Sequence, residues 1–186
     1  LKLYLERTRI TELYIDGKKI GRQESLCTPH IYDLNEYIGT GIHEMTICVS
    51  NVGYKTKGGH LTSPDTQTNW NGITGRIELI GYKNAHAENV MLWCDIHNKT
   101  VRVTANITGG KSGKAVISAE SFNSERSHTP EVQSFEYTNG KLDALYKMGD
   151  DCLLWSEHEP NLYKLKIDID GDVSEHIIGM REFRTE

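Results

Sequence analysis

Cysteine is scarce and scattered, with four residues at 27, 48, 94 and 152. The nearest pair, Cys27 and Cys48, stands 21 positions apart, so neither a CxxC zinc half-site nor a redox motif exists. A disulfide framework needs denser cysteines. Cys48 and Cys94 fall inside strand-like runs, where a free thiol is expected to act as a small buried apolar group. No apolar run approaches the ~18 residues that a membrane span needs. Nor is there a basic block: 21 Lys and Arg face 26 Asp and Glu, a net charge of −5 and a pI near 5.9. A dedicated nucleic-acid or anionic-membrane binder is therefore not expected. A Gly-rich phosphate loop and a nucleophile elbow are also missing, and no targeting leader is expected. His43-Glu44 lacks the second histidine of a zincin, and the eight histidines show no metal-ligand spacing. In Asp168-Ile169-Asp170-Gly171-Asp172 the glycine comes too early for a calcium loop. No metal and no cofactor is expected. What remains, 37% hydrophobic and 25% charged residues, suits a soluble globular chain, for which bacterial cytoplasm or periplasm is a fitting compartment.

The dominant period is two. Val101, Val103, Ala105 and Ile107 alternate with Arg102, Thr104, Asn106 and Thr108. Tyr163, Leu165, Ile167 and Ile169 alternate with Lys164, Lys166, Asp168 and Asp170, and similar runs start at Met45 and Val90. Successive side chains of a strand point to opposite faces, so each run predicts a strand with one face buried. Between them stand Asp16-Gly17, Asn98-Lys99, Gly109-Gly110, Asn139-Gly140 and Asp170-Gly171, residues that accept the positive φ of tight hairpins. No 3.6-residue period lasts three turns; residues 33–38 could form one helical turn, and 142–148 fit either class. The pattern predicts an all-β protein built of sandwiches.

One sandwich of about 100 residues does not use the whole chain. The polar stretch 83–88 is the best linker, which divides the chain into 1–83 and 84–186. The first block holds the long irregular stretch 51–75, and such loops are more often functional than structural. Leu1 opens an extended run and the chain stops just after a final strand near Phe183, as expected of a piece of a longer protein.

Several motifs share one family order. Leu13-Tyr14-Ile15-Asp16-Gly17-Lys18-Lys19-Ile20-Gly21 resembles the VNG-x-x-VG hairpin of the sugar-binding domain of glycoside hydrolase family 2, which includes β-galactosidases, β-glucuronidases and β-mannosidases. Tyr32-Asp33-Leu34-Asn35-Glu36-Tyr37-Ile38 is similar to its F-D-L-T-x-Y-L segment, and the run from Gly41 to Asn51 resembles G-x-N-x-L-x-V-x-V-x-N. Gly72-Ile73 leading to Arg76-Ile77-Glu78-Leu79 resembles the closing G-I-x-R-x-V-x-L strand, with one extra residue between Ile73 and Arg76. The run from Leu154 to Tyr163 is close to L-W-S-P-E-N-P-N-L-Y, and Ile178-Gly179-Met180-Arg181 stands for the terminal F-G-x-R. The resemblance implies a jelly-roll-like (galactose-binding-like) sandwich, truncated at the front, over 1–83. An immunoglobulin-like sandwich over 84–186 follows, and then a catalytic (β/α)8 barrel in the parent chain.

A retaining glycosidase needs two carboxyl groups about 5–5.5 Å apart, which in this family are glutamates on barrel strands. Asn35-Glu36 imitates the Asn-Glu of the acid/base but falls in the sugar-binding segment, so this fragment alone is expected to be inactive. The resemblance implies that a loop of the first domain reaches the barrel mouth and contacts the sugar. Asp65, Gln67, Asn69, Trp70 and Asn71 stand in that stretch. Carboxylates and amides offer paired acceptors and donors to hydroxyls, and Trp offers a flat apolar face. Trp93 and Trp155, in strand contexts, are expected in the core. The implied partners are a β-glycoside, the parent chain's barrel and a second copy of the chain. The alternatives are a stand-alone carbohydrate-binding module and an adhesion-type pair of sandwiches.

Overall fold

The computed structural model describes residues 1–53, 71–82 and 84–183. Those residues form thirteen strands and no helix, so the all-β expectation holds. The chain divides into two compact units, Leu1–Gly81 and Tyr82–Glu186.

The first unit comprises β1 (Lys2–Leu5), β2 (Ile10–Ile15), β3 (Lys18–Glu24), β4 (His30–Asp33), β5 (Met45–Ser50) and β6 (Ile77–Ile80). They pair antiparallel as two three-stranded sheets, β4-β1-β6 and β3-β2-β5. Asp16 and Gly17, at φ 49° and 78°, turn β2 into β3; both central residues of such a turn need positive φ. Asp16 also fixes the start of β5: its carboxylate accepts from the Glu44 N–H at 2.8 Å and lies 2.7 Å from His43 Nδ1. Leu3, Leu5, Leu13, Ile15, Tyr32 and Leu34 form the core. A buried polar set ties the sheets together: Thr11 Oγ1 lies 2.6 Å from His30 Nδ1, and Tyr32 donates to the Thr11 carbonyl at 3.0 Å. Toward β6 the core is less covered. Ile77 and Leu79 stand opposite the buried Leu5 and Leu3, yet are 58% and 59% exposed.

The second unit comprises β7 (His86–Asp95), β8 (Thr100–Thr108), β9 (Ser112–Ser121), β10 (Gln133–Thr138), β11 (Lys141–Lys147), β12 (Tyr163–Ile169) and β13 (Asp172–Ile178). The sheet order is β13-β12-β9-β10-β11-β8-β7. Strands β10 and β11 pair only at Thr138↔Lys141, and Asn139-Gly140 turns the chain there at φ 52° and 67°. The sheet thus folds over at this hairpin. Val101, Val103, Leu142, Ala144 and Tyr146 on one side share a core with Ala115, Ile117, Leu165, Ile167 and Ile169 on the other. Burying each large aliphatic side chain contributes about 1.5–3 kcal/mol. Burial also pushes the Tyr146 phenol up to about 12 and raises Tyr163. A side chain at Gly113 would lie 2.7 Å from the Tyr137 hydroxyl, which explains a glycine within β9.

Some expectations fail in detail. Residues 142–148 do not stay ambiguous, since β11 takes most of them. The linker stretch 83–88 is partly strand, with His86, Ala87 and Glu88 paired to Thr108, Ile107 and Asn106. All four cysteines are free, but Cys48 is exposed and Cys94 only half-buried. Trp93 is 49% exposed and Trp155 half-buried, so neither is a core residue. Alternation fixes that two faces exist, while coverage decides which is dry; Trp93 lies on the uncovered face of β7.

Candidate functional site

The stretch that links β5 to β6 is rooted at one end of the first unit. Ser50, the last residue of β5, stands opposite Ile10 at the start of β2, and its hydroxyl accepts from the Val52 N–H at 3.2 Å. On the return, the Thr74 and Gly75 N–H groups donate to the carbonyls of Arg7 and Glu6 at 3.1 and 3.0 Å, and the Glu6 N–H donates to Arg76 at 2.9 Å. A Cβ on Gly75 would fall 2.8 Å from the Glu6 carbonyl oxygen, so this approach requires glycine. The returning stem therefore rests on the turn between β1 and β2, and the outgoing stem on Ile10, the residue at which β2 begins.

That turn is polar and partly dry. Arg7 takes φ 55°, Thr8 is buried, and Arg9 is only 7% exposed. The Thr8 Oγ1 is shielded and has no hydrogen-bond partner. Arg76 binds Glu6 through Nε at 3.1 Å and the Tyr4 hydroxyl at 3.0 Å, with its guanidinium 4.8 Å from the Tyr4 ring. The Arg76 backbone N–H, and then its guanidinium, hold the Glu6 carboxyl below the usual range. These groups brace a loop root; they are not a catalytic set. Thr8, Arg9 and the Glu6–Arg76 pair are not legible in the sequence, because Arg7-Thr8-Arg9 fits no motif and Glu6 and Arg76 stand 70 positions apart.

Of the expected sugar contacts, Asp65, Gln67, Asn69 and Trp70 lie outside the described residues. Asn71 is described: it is exposed, and its Oδ1 accepts from the Gly72 N–H at 2.9 Å. Glu36 is exposed on the turn after β4, where Tyr37 and Ile38 N–H groups donate to the Leu34 carbonyl, the single helical turn that 33–38 predicts. Among the described residues no group of three or more His, Cys, Asp or Glu is placed to hold a metal ion.

In the second unit the closing motifs meet in space. Leu154 bridges Met180, the Trp155 N–H donates to the Met180 carbonyl at 3.0 Å, and Asn161 Nδ2 donates to the Leu154 carbonyl at 2.9 Å. The Arg181 guanidinium lies 4.6 Å from the Trp155 ring and 4.4 Å from the Phe183 ring, a cation–π clasp. A Cβ on Gly179 would lie 3.0 Å from the Trp155 ring. Residues 85–181, which contain all of this arrangement but Phe183, match the sequence profile of Glycosyl hydrolases family 2. The chain belongs to that family. It is 22% identical over 177 residues to a β-galactosidase of Clostridium acetobutylicum, covering 92% of this chain and 19% of that protein. It is 23% identical over 179 residues to the β-galactosidase large subunit of Lactobacillus acidophilus, covering 92% and 27%. The family 2 chain thus spans about a fifth to a quarter of these curated relatives. Among solved structures, a family 2 β-galacturonidase of Eisenbergiella tayi bound to galacturonate superposes with a TM-score of 0.65 at 20% identity, over 100% of this chain and 34% of that one. A Bacteroides uniformis β-glucuronidase superposes at 0.60 and 13% identity, over 98% and 24%. At these identities the likeness is one of fold.

Proposed function

We propose that this chain is a non-catalytic part of a β-galactosidase-like family 2 glycoside hydrolase. The first unit is then a truncated jelly-roll-like sugar-binding sandwich and the second an immunoglobulin-like sandwich. Together they brace the catalytic barrel of the parent chain, contribute to self-association, and lend the segment with Asp65, Gln67, Asn69, Trp70 and Asn71 to the sugar site. One observation carries the reading: 92% of this chain matches 19% of a β-galactosidase, a portion rather than a whole enzyme. The loop root fits it, since a contact that acts at a distance from its sheets needs pinned stems.

The test is made in the parent enzyme. A hydrogen bond to the sugar strengthens as charge develops at the ring, so Asp65→Ala or Asn69→Ala should lower kcat/KM by roughly ten- to a thousand-fold, each ~1.4 kcal/mol being one decade. Melting should hardly move. Full activity in both variants would remove the loop from the site. The 186-residue chain by itself should neither hydrolyse chromogenic β-galactosides nor bind glycans tighter than about 1 mM, worth ~4 kcal/mol. Micromolar binding by calorimetry would favour the stand-alone module.

A further inference from the structure

We infer that the second unit carries its own saccharide-binding cleft, between the stretch after β9 and the turn before β12. The cleft has a volume of about 620 Å3, within the range of small-molecule sites. Its walls are held by side-chain clamps rather than by chance contact. Asn123 spans both sides: its Nδ2 donates to the Pro160 carbonyl at 2.7 Å, and its Oδ1 accepts from the Leu162 N–H at 2.7 Å. The far wall is a closed turn in which the Ser156 N–H donates to the Glu159 carbonyl and the Glu159 N–H donates to Ser156 Oγ, both at 3.0 Å.

Into this frame project groups that the protein leaves unused. Glu125 and Arg126 line the cleft and make no hydrogen bond or ion pair among the described residues. Ser124 belongs to the same wall, with its Oγ turned away from solvent. Glu159 and His158 also line the cleft, His158 with its Nε2 3.5 Å from Glu157 Oε1, and Pro160 supplies apolar surface over the buried Leu153. The ligand class follows from this mixture. Two carboxylates and one guanidinium give no field of a single sign, which disfavours both a phosphate-rich anion and a polycation. Acceptors from Glu125 and Glu159 and donors from Arg126 suit a ligand dense in hydroxyls that both donate and accept. The exposed Pro160 offers apolar surface to the C–H face of a pyranose. The choice of a neutral mono- or disaccharide rests on this chemistry together with the family, and is independent of the loop contacts proposed for the first unit.

The test is a titration of the full 186-residue chain with lactose, cellobiose and mannobiose, read by amide chemical shifts. Binding at about millimolar affinity, the level a few exposed polar contacts support, should move the amides of Ser124, Glu125 and Arg126. The Glu125→Ala/Arg126→Ala double variant should weaken that binding at least ten-fold with unchanged urea unfolding, because neither side chain packs in the core. Asp65→Ala and Asn69→Ala should leave it intact. Saturable binding that the loop variants abolish and the cleft variants do not would place the sugar in the first unit and overturn this proposal. Absence of saturable shifts with all three disaccharides would overturn it as well. Loss of activity in parent-enzyme loop variants bears only on the loop, so the two readings fail separately.

Discussion

Trp93, Trp155 and Ile167 sit in or beside strands of the second unit, and the fold covers them unequally. Ile167 is 0% exposed in the core, Trp155 is half-buried under Gly179 and Arg181, and Trp93 is 49% exposed with Arg102 5.9 Å above its ring. Truncation costs follow covered area and the cavity left behind. Ile167→Ala should destabilise by about 2–5 kcal/mol. Trp155→Ala leaves a gap that opens to solvent, so about 2 kcal/mol is expected, part of it from the lost Arg181 contact of ~0.5–1 kcal/mol. Trp93→Ala should cost under about 1 kcal/mol. Urea midpoints in that order, Ile167→Ala lowest, check the assignment; a Trp93 variant as unstable as the Ile167 variant would mean that a partner covers β7. Aromatic identity alone does not tell these cases apart in a sequence, because large rings serve both cores and surfaces.

At the scale of elements, the hairpins were the most legible feature. Asp16-Gly17, Asn139-Gly140 and Asp170-Gly171 all take positive φ at both residues, and Lys99 and Gly109 take it at their turns. Backbone sterics restrict such φ to few residue types, so the turn chemistry is written locally. The buried rows of β8 and β12 were legible for a like reason, since a strand covered on one face keeps a period of two over its whole length. Coverage of β5 and β6 was not, because it depends on distant chain, and of the candidate contacts only Asn71 lies among the described residues. Gly140 tests the hairpin logic. It holds φ 67°, and a Cβ there would approach the Ile107 carbonyl oxygen to 3.1 Å, whereas Gly149 holds φ 82° in open space. Gly149→Ala should therefore cost about 1 kcal/mol from left-handed backbone alone, and Gly140→Ala more than that, at a turn that joins the two halves of the sheet. Equal melting shifts for the two variants would show that the contact at Ile107 is relieved without cost.

At the scale of the whole chain, stability should depend on pH through three histidines that burial holds below their ordinary range: His30 in the first unit, His128 and His176 in the second. His30 places Nε2 3.1 Å from the Ser25 carbonyl and Nδ1 2.6 Å from Thr11 Oγ1. A neutral ring that donates from Nε2 accepts at Nδ1, so protonation would set two donors against the threonine hydroxyl unless that hydroxyl turns. His128 Nδ1 similarly meets the Tyr163 hydroxyl at 2.7 Å, while that oxygen also accepts from the Leu153 N–H at 2.8 Å, so the phenolic proton is free to go to the imidazole. The folded state thus binds these protons more weakly than the unfolded chain. The stabilisation is complete above the unfolded histidine value of about 6.5 and is lost as pH falls toward the lowered folded values. Carboxylates such as Glu6, Asp16 and Asp143, held low by their partners, act in the same direction only below about 4.5. The window between about pH 6.5 and 4.5 therefore belongs to the histidines. Urea midpoints measured at steps from pH 7.5 to 5 should fall steadily below about 6.5, and His128→Gln, with an amide that does not titrate in this range, should flatten the fall. A midpoint that stays level through that window, or rises on acidification, would show that the buried rings accept protons as readily as the unfolded chain does.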